Sequence, residues 1–340
     1  MKPAGEPTGP HGLGLSHFPE YVGPSPGRSP PRIFLEVAVS EALGVFPRCK
    51  TPASPLADRP GTPVKASRHP TRPARALDLS LYPNVYDAAF SWDRSQEAST
   101  YLRVATSRIG KPPRSVAELA CGTGPLARLW ASQGLEAYGM DRSVPAIRRA
   151  RELSREIVPP GHWILGDLRD FQLPRRVEMA VVPLDSLGYL VEEEDFMRFF
   201  HAAWRCLAPG GILAVDLTLH PVEAPPLPIR NAWTVALRPR GNLRVSWRSQ
   251  GKPWGSPPRQ WEVGRISVRV PGRPSRIYWE AYPHATLTAR ALRDLSRKAG
   301  GFGEIWVYSD AAHRARSGRM HRVPSLSLVR GARLVCWRRI

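Results

Sequence analysis

The sequence has little lysine, few cysteines and no long apolar run. Its four cysteines, Cys49, Cys121, Cys206 and Cys336, are far apart and include no C-x-x-C pair. This spacing argues against a zinc site and a disulfide scaffold, and it fits a reducing cytoplasm. The longest apolar stretch, residues 33–46, carries two glutamates and is shorter than a membrane span. The N terminus has no charged head followed by an apolar segment. We therefore predict a cytoplasmic protein with no metal site, no membrane span and no secretion signal.

The basic residues are almost all arginine. The net charge is +20, and only six of the 49 basic residues are lysine. A charge of this size favours a nucleic-acid partner as one interpretation. The arginine excess, together with abundant alanine, glycine and proline, instead indicates the codon usage of a GC-rich genome. We keep nucleic-acid binding as the alternative, because charge alone reports non-specific attraction rather than function.

Proline separates the chain into two parts. Residues 1–76 hold 15 of the 37 prolines and show no sustained hydrophobic period. Proline removes backbone donors and interrupts both helices and sheets. We predict a mostly disordered tail at 1–76, with a short helix at 33–46, and one folded domain at 77–340. The tail is interpreted either as a partner-binding segment or as a stretch that precedes the true start of translation.

Short apolar strands alternate with helices from residue 93 to residue 217. The pattern predicts helices at 93–109, 125–133, 144–157 and 193–206, and strands at 115–120, 137–140, 162–165, 178–184 and 211–217. Because each right-handed crossover between parallel strands needs a connecting segment, usually a helix, this alternation predicts an α/β fold. We expect a Rossmann-like, mostly parallel sheet of seven strands with helices on both faces. A helix at 287–299 and a strand pair at 304–309 and 333–337 complete it.

Residues 221–283 depart from this alternation. Strand-like runs separated by Pro/Gly-rich turns predict an antiparallel β insertion that covers the cleft. The aromatic residues of the insertion are Trp233, Trp247, Trp254, Trp261, Tyr278, Trp279 and Tyr282, and nine arginines lie between residues 238 and 276. Such a mixture suits an anionic polymer or a clamp on a small anion. We favour an ordinary sheet with one buried aromatic face and one solvated basic face.

One segment joins an apolar strand to a helix through a glycine turn. Residues 116–120 lead into Cys121-Gly122-Thr123-Gly124, and the next helix follows at once. Glycine lets a ligand approach the backbone closely, and the helix N terminus offers free N–H groups. Taken alone, the turn also fits a dinucleotide fingerprint or a merely tight connection.

Acidic residues stand at the ends of three successive strands. Glu118 precedes the glycine turn, Asp141 ends the second strand, and Asp167 ends the third. An acid at the end of the second strand can accept both hydroxyls of a ribose. Since open parallel sheets bind ligands at the carboxyl ends of their strands, the three acids predict a ligand site at that edge. A nicotinamide enzyme also needs a placed histidine or Tyr-Lys pair for hydride transfer, and we find none.

These motifs resemble those of the class I S-adenosyl-L-methionine-dependent methyltransferases. Residues 118–124 are similar to their glycine-rich first motif, and the Pro-Gly-Gly turn at 209–211 is similar to a later one. The resemblance implies that Asp141 binds the cofactor ribose and that Asp167 and Leu168 contact the adenine. The cofactor-binding residues that it implies are Tyr86, Glu118, Ala120, Gly122, Gly124, Asp141, Arg142, Asp167, Leu168, Leu184 and Asp185.

Residues 184–190, with the sequence LDSLGYL, resemble a D-S-L-N-Y-L motif of a narrower bacterial subgroup of small-molecule methyltransferases. Gly188 stands where that subgroup has asparagine. The subgroup also has a Tyr-Asp pair in an N-terminal lid, matched here by Tyr86-Asp87. The resemblance implies a bacterial methyltransferase, with Asp185, Tyr189 and Tyr86 as the catalytic candidates beside the methyl group.

The expected acceptor is a small molecule with an amine or hydroxyl nucleophile, bound under the insertion. The alternatives are an RNA methyltransferase and a non-catalytic module that binds the cofactor or RNA. Two histidines, His220 and His284, flank the insertion. Either is a candidate base for an amine acceptor, although we expect both to be surface residues. The sequence leaves the oligomeric state open.

Overall fold

The computed structural model describes residues 69–222, 225–237, 240–309, 322–323 and 331–340. The predicted tail up to residue 68, including the helix at 33–46, therefore lies outside the described residues. The helices are α1 (Pro83–Ala89), α2 (Ser95–Ile109), α3 (Pro125–Ser132), α4 (Val144–Leu153), α5 (Glu193–Cys206) and α6 (Ala289–Ala299). The strands are β1 (Leu77–Asp78), β2 (Ser115–Leu119), β3 (Glu136–Asp141), β4 (His162–Leu165), β5 (Val177–Val182), β6 (Leu207–Leu219), β7 (Arg230–Ala236), β8 (Asn242–Trp254), β9 (Arg259–Arg269), β10 (Arg276–Ala285), β11 (Phe302–Val307) and β12 (Gly331–Arg339).

The larger sheet has seven strands in the order β11-β12-β6-β5-β2-β3-β4. Strand β12 runs antiparallel to both of its neighbours, whereas β6, β5, β2, β3 and β4 run parallel to one another. The predicted α/β, Rossmann-like fold is confirmed. The strand order reverses at the neighbouring parallel strands β2 and β5, and at such a point the carboxyl ends of the strands open a crevice where these sheets bind ligands.

Helices cover both faces of this sheet because its strands are apolar on both sides. On one face, Leu119 packs with Phe196 and Phe200 of α5. On the other, Val116 packs with Tyr101 of α2 and with α3. All of these side chains are buried, and each large one contributes about 1.5–3 kcal/mol to stability. No helix in the described ranges is long and apolar enough to cross a membrane.

The predicted insertion folds as a second sheet, in the order β1-β10-β9-β8-β7. Its strands are antiparallel except for β1, which runs parallel to β10. We call the face that carries Leu243, Val245 and Trp247 the inner face, and it packs against α1 through Val85 and Ala89. The sequence did not predict β1, since two residues carry no periodic signal.

Residues 69–76 pack on the opposite, outer face of the second sheet. The ring of His69 lies 4.4 Å from that of Trp261, and Ala76 packs with Val263 and Trp279. The boundary that the sequence indicates at residue 77 therefore falls inside a segment that contacts the domain. The sequence did not indicate these contacts, because an extended segment with prolines shows neither a helical nor a strand period.

Candidate functional site

Unusual backbone conformations occur at the carboxyl ends of β2 and β5. Ala120, Leu184 and Asp185 have φ angles of 54°, 53° and 63°. Residues other than glycine rarely adopt this left-handed conformation, and those that do cluster at functional sites. Only one other non-glycine residue in the described part of the chain, Arg75, has a positive φ. All three strand-end residues are among the predicted cofactor-binding residues.

The glycine turn is tied to the end of β3 by a carboxylate. The amide of Gly122 donates to Asp141 Oδ2 at 2.7 Å, and the amide of Ser143 donates to Asp141 Oδ1 at 2.8 Å. Burial raises the pKa of Asp141, although both hydrogen bonds oppose the rise. Each carboxylate oxygen keeps a further lone pair for a ligand hydroxyl. A Cβ on Gly122, which has φ +56°, would meet nothing within 4 Å, so this side of the turn is open.

Gly124 is required by packing inside the protein. A Cβ there would lie 2.0 Å from the ring of Trp163, and a Cβ on Gly139 would lie 2.3 Å from the same ring. The indole of Trp163 thus crosses β3 and reaches the start of α3. Sequence reasoning assigned Gly124 to ligand approach and did not foresee this contact, because β4 and the turn are 39 residues apart. Its predicted role in cofactor binding stays a prediction.

Glu118 is fully buried and belongs to an internal charge cluster. Its Oε2 accepts a hydrogen bond of 2.8 Å from the Ala127 amide in the first turn of α3, and its Oε1 lies 3.8 Å from Arg94 Nη1. Arg94 also binds both carboxylate oxygens of Glu97, at 2.5 and 2.7 Å. Burial raises the pKa of Glu118 to about 7, against the opposing charge of Arg94. The carboxylate therefore holds α3 behind the glycine turn.

The third strand-end acid is engaged by a neighbouring arginine. Asp167 accepts from Nε and Nη2 of Arg169 at 2.8 and 2.7 Å, and the Arg169 hydrogen bond lowers the pKa of Asp167. Its side chain remains 33% exposed. Leu168 is buried, and Arg142 is exposed. None of these contacts involves adenine, so the predicted adenine contact of Asp167 and Leu168 stays a prediction.

The predicted Tyr-Asp lid lies in α1. Tyr86 stacks on Phe90 at 4.3 Å between ring centroids. Asp87 accepts a hydrogen bond from the hydroxyl of Thr123 in the glycine turn, and its Oδ2 lies 3.5 Å from Arg149 Nε in α4. The lid is therefore joined to the turn by a side-chain hydrogen bond.

Tyrosines and glutamates converge between the lid and the inner face of the second sheet. The hydroxyl of Tyr282 donates to Glu280 Oε2 at 3.1 Å, and the rings of Tyr282 and Tyr189 lie 5.5 Å apart. Burial raises the pKa of Tyr86 and of Tyr189 well above the usual value, and the charges of Glu262 and Glu280 raise both further. We call Tyr86, Tyr189, Glu262, Glu280 and Tyr282 the acid–tyrosine cluster.

The predicted ribose acid acts electrostatically on this cluster, since the charge of Asp141 is one of those that raise the pKa of Tyr86. Sequence reasoning named Tyr86 and Tyr189 but missed Glu262 and Glu280. Composition offered a signal. Residues 221–283 contain only three acidic residues, and two of them are Glu262 and Glu280.

The two histidines that flank the insertion are buried, so their predicted surface position is wrong. His220 and His284 are 2% and 3% exposed. His220 Nδ1 accepts a hydrogen bond from the Leu227 amide at 2.9 Å, and burial lowers the pKa of His220 to about 4. His284 Nε2 lies 3.3 Å from Glu262 Oε2 and 3.1 Å from the Asp185 carbonyl oxygen. Burial lowers the pKa of His284, but the charges of Glu262 and Asp185 outweigh it and raise the pKa overall.

The turn after β5 is packed directly on His284. Asp185 Oδ1 accepts from the Thr218 amide at 2.9 Å, which fixes that carboxylate at the end of β6. A Cβ on Gly188 would lie 2.0 Å from Cε1 of His284 and 2.2 Å from its Nε2. Position 188 therefore has no room for the asparagine of the bacterial motif, because the imidazole of His284 occupies that space.

The arginines of the insertion lie mainly on the outer face. Arg244, Arg248 and Arg265 are exposed and alternate along their strands with the buried residues of the inner face. Since successive side chains of a strand point to opposite faces, these guanidinium groups point away from the acid–tyrosine cluster. Arg238 lies outside the described residues. Among the described residues, no group of three or more His, Cys, Asp or Glu side chains is arranged to hold a metal ion.

Comparison with known proteins relates this architecture to methyltransferases. Residues 116–211, from β2 into β6, match a family model described as "Methyltransferase domain". A dTDP-3-amino-3,4,6-trideoxy-alpha-D-glucopyranose N,N-dimethyltransferase of Streptomyces venezuelae is 28% identical over 138 residues, which cover 40% of this chain and 56% of that protein. A putative methyltransferase, YqeM, of Bacillus subtilis (strain 168) is 26% identical over 137 residues, which cover 40% and 53%. The chain thus spans about half the length of these curated relatives.

The fold is shared over a longer range. The crystal structure of Streptomyces venezuelae DesVI superposes with a TM-score of 0.56 at 22% identity, covering 75% of this chain and 96% of that one. The common fold therefore includes more than the segment that the sequence comparisons match.

Proposed function

We propose that this protein transfers a methyl group from S-adenosyl-L-methionine to a small-molecule acceptor. The observation that carries the proposal is the joint between β2 and β3. There an open glycine turn at Gly122 is held by the carboxylate of Asp141. An acid with spare lone pairs beside an open, glycine-bearing turn suits a ribose and the rest of a nucleoside cofactor.

The residues present fit this cofactor, and we assign its binding to the strand ends. Asp141 would hold the ribose hydroxyls, and the strained backbone at Ala120, Leu184 and Asp185 would line the cleft. Asp167 and Leu168 would contact the adenine, with Arg142, Gly124 and Glu118 supporting the turn and the helix behind it. The cofactor supplies an electrophilic methyl group on a sulfonium, so the protein has to orient the nucleophile and exclude water.

The side chains of the lid and the second sheet provide this enclosure. Trp233 Nε1 donates to the Ala89 carbonyl at 2.7 Å, which ties the sheet to α1, and Tyr86 meets the edge of Trp247 at 6.1 Å. Both hydroxyls are protonated at neutral pH, and the raised pKa of Tyr86 and Tyr189 makes their ionisation still less favourable. They are therefore suited to donate hydrogen bonds to an acceptor rather than to remove its proton.

A small-molecule acceptor is favoured over RNA by the two faces of the second sheet. The face toward the lid carries the tyrosines and glutamates of the cluster, whereas the exposed Arg244, Arg248 and Arg265 are on the other face. A polyanion bound to those arginines would be separated from the acid–tyrosine cluster by the sheet itself. One curated relative is named as an N,N-dimethyltransferase of an amino sugar, which is consistent with a small acceptor.

Calorimetry with Asp141→Ala tests cofactor binding. Two hydrogen bonds to a charged group contribute about 1.5–3 kcal/mol each, so the affinity for S-adenosylmethionine should fall by at least about tenfold. The matched control is Asp170→Ala, which removes an exposed acid bonded to Arg205 at 3.0 Å and should bind normally. Equal affinity of the wild-type and Asp141→Ala chains would refute the ribose assignment. A thermal melt of each variant separates lost binding from lost folding.

A further inference from the structure

The acid–tyrosine cluster contains two carboxylates on one face of neighbouring strands. Glu262 of β9 pairs in register with Tyr282 of β10, and Glu280 precedes Tyr282 by two residues. Side chains two apart on a strand share a face, and diagonal neighbours across strands remain within reach. Both glutamates are 8% exposed. Buried carboxylates are costly unless a cation or several hydrogen bonds compensate them.

Only one of the two carboxylates has a cationic partner close by. Glu262 Oε2 lies 3.3 Å from His284 Nε2 and has no hydrogen-bond partner among the described residues. The side chain of Trp247 hydrogen-bonds the Glu262 carboxyl group, which partly opposes the rise in pKa that burial causes there. Glu280 is bonded to the neutral hydroxyl of Tyr282. No ion pair with Glu280 is found in the described part of the chain. An ionised Glu280 would therefore have no cation beside it among the described residues, and a bound ammonium group would supply one.

The surroundings of Glu280 favour its protonated form. Besides burial, the charges of Asp78 on β1 and Glu262 on β9 disfavour its ionised form, and Arg142 and the Tyr282 hydrogen bond only partly offset them. Across the cleft, no hydrogen bond is found for the hydroxyls of Tyr86 and Tyr189 among the described residues. The lid and the turn after β5 thus present two free hydroxyls toward the glutamates.

We infer that the acid–tyrosine cluster is the acceptor site for an amine, with Glu280 as the group that receives the proton of its ammonium form. This inference rests on the proposed methyltransferase function and narrows its acceptor from amine or hydroxyl to amine. Glu262, paired with His284, holds the second negative charge beside the ammonium. Tyr282 positions the Glu280 carboxylate through its hydrogen bond.

The proton transfer is chemically matched. Burial raises the pKa of Glu280 to about 8. An efficient general base has a pKa near the pH at which the enzyme works. An alkylammonium ion loses its proton to such a carboxylate at small cost, whereas an alcohol is far too weak an acid. The neutral nitrogen then donates its lone pair to the methyl carbon, and the electrons of the broken C–S bond stay on sulfur. The proton leaves Glu280 for water afterwards.

The test compares amines with alcohols in the full-length protein. S-adenosylhomocysteine release is measured with a panel of cyclic primary and secondary amines and with alcohols of the same carbon skeletons. Amines should be methylated and alcohols should not. Glu280→Gln should lower kcat/KM by at least about 100-fold, remove the rise in rate near pH 8, and leave S-adenosylhomocysteine affinity unchanged. Glu280→Asp, which keeps a base on a shorter stem, should recover part of the rate.

Glu304→Gln, a change at an exposed position on β11, is the matched control and should keep the wild-type rate. Methylation of an alcohol or of RNA would overturn the amine assignment. So would wild-type activity of Glu280→Gln, or an absence of turnover in a chain that binds S-adenosylmethionine. Failure to bind S-adenosylmethionine at all would instead refute the proposed function, and calorimetry distinguishes the two results.

Discussion

Replacing Gly188 by alanine tests how the turn after β5 is joined to the second sheet. The added Cβ would lie 2.0 Å from His284 Cε1, so the imidazole must retreat by roughly 1.4 Å to reach an ordinary contact. His284 has little freedom to move. It is 3% exposed and is held by the Asp185 carbonyl and by Glu262 at 3.1 and 3.3 Å.

The expected cost follows from these contacts. Overpacking a closed core costs about 1–3 kcal/mol, and separating a buried ion pair adds to it. We expect Gly188→Ala to lower the free energy of unfolding in urea by about 2–4 kcal/mol. Gly272→Ala is the control, because a Cβ there meets nothing within 4 Å and only its φ of +74° is unfavourable. That variant should cost about 1 kcal/mol.

A double-mutant cycle isolates the contact. In a His284→Ala background the space beside position 188 is free, so Gly188→Ala should cost less than about 0.5 kcal/mol beyond the loss due to His284→Ala. Gly188→Asn, which restores the residue of the bacterial motif, should likewise be tolerated only in that background. Additive losses in the cycle would refute the proposed contact, since independent sites add and sites in contact do not.

Two further predictions concern the charge cluster and the N-terminal segment. Arg94→Ala leaves the carboxylates of Glu97 and Glu118 buried without their cation, so it should cost about 3–5 kcal/mol at pH 8 in urea denaturation. The native state of the variant then binds protons that the unfolded chain releases. Its stability should therefore fall as the pH rises from about 4.3 upward. An equal loss of stability at pH 5 and pH 8 would contradict this account. A chain that starts at residue 77 should melt at a lower temperature than one that starts at residue 69, because it lacks residues 69–76 over Trp261; identical melting curves would show that this packing adds no stability.

The helices and parallel strands of the larger sheet were predictable because their signal is local. The helix at 193–206 and the strand at 162–165 have the predicted bounds, since apolar periodicity is a property of neighbouring residues. The helix predicted to end at residue 157 instead ends at Leu153, because the period alone does not mark where the last turn closes.

The two histidines show where local reasoning fails. Nothing in the residues next to His220 or His284 indicates burial. His284 becomes enclosed because β10 passes against the turn after β5, and His220 because its backbone pairs with Leu287 and Thr288, which follow β10. The same position of β10 explains Gly188, whose missing side chain is matched by a histidine 96 residues later in the chain.

The α/β class, the order of the strand-end acids and the glycine turn could be read from local patterns, because each depends on periodicity or on residues close together in the chain. Which polar groups lie in one space depends instead on how the two sheets pack. This packing brought Glu262, Glu280 and Tyr282 opposite Tyr86 and Tyr189, and it enclosed His284 against Gly188. The physical reason is that burial and charge compensation depend on distances between remote strands, and those distances are set when the two sheets and the lid pack together.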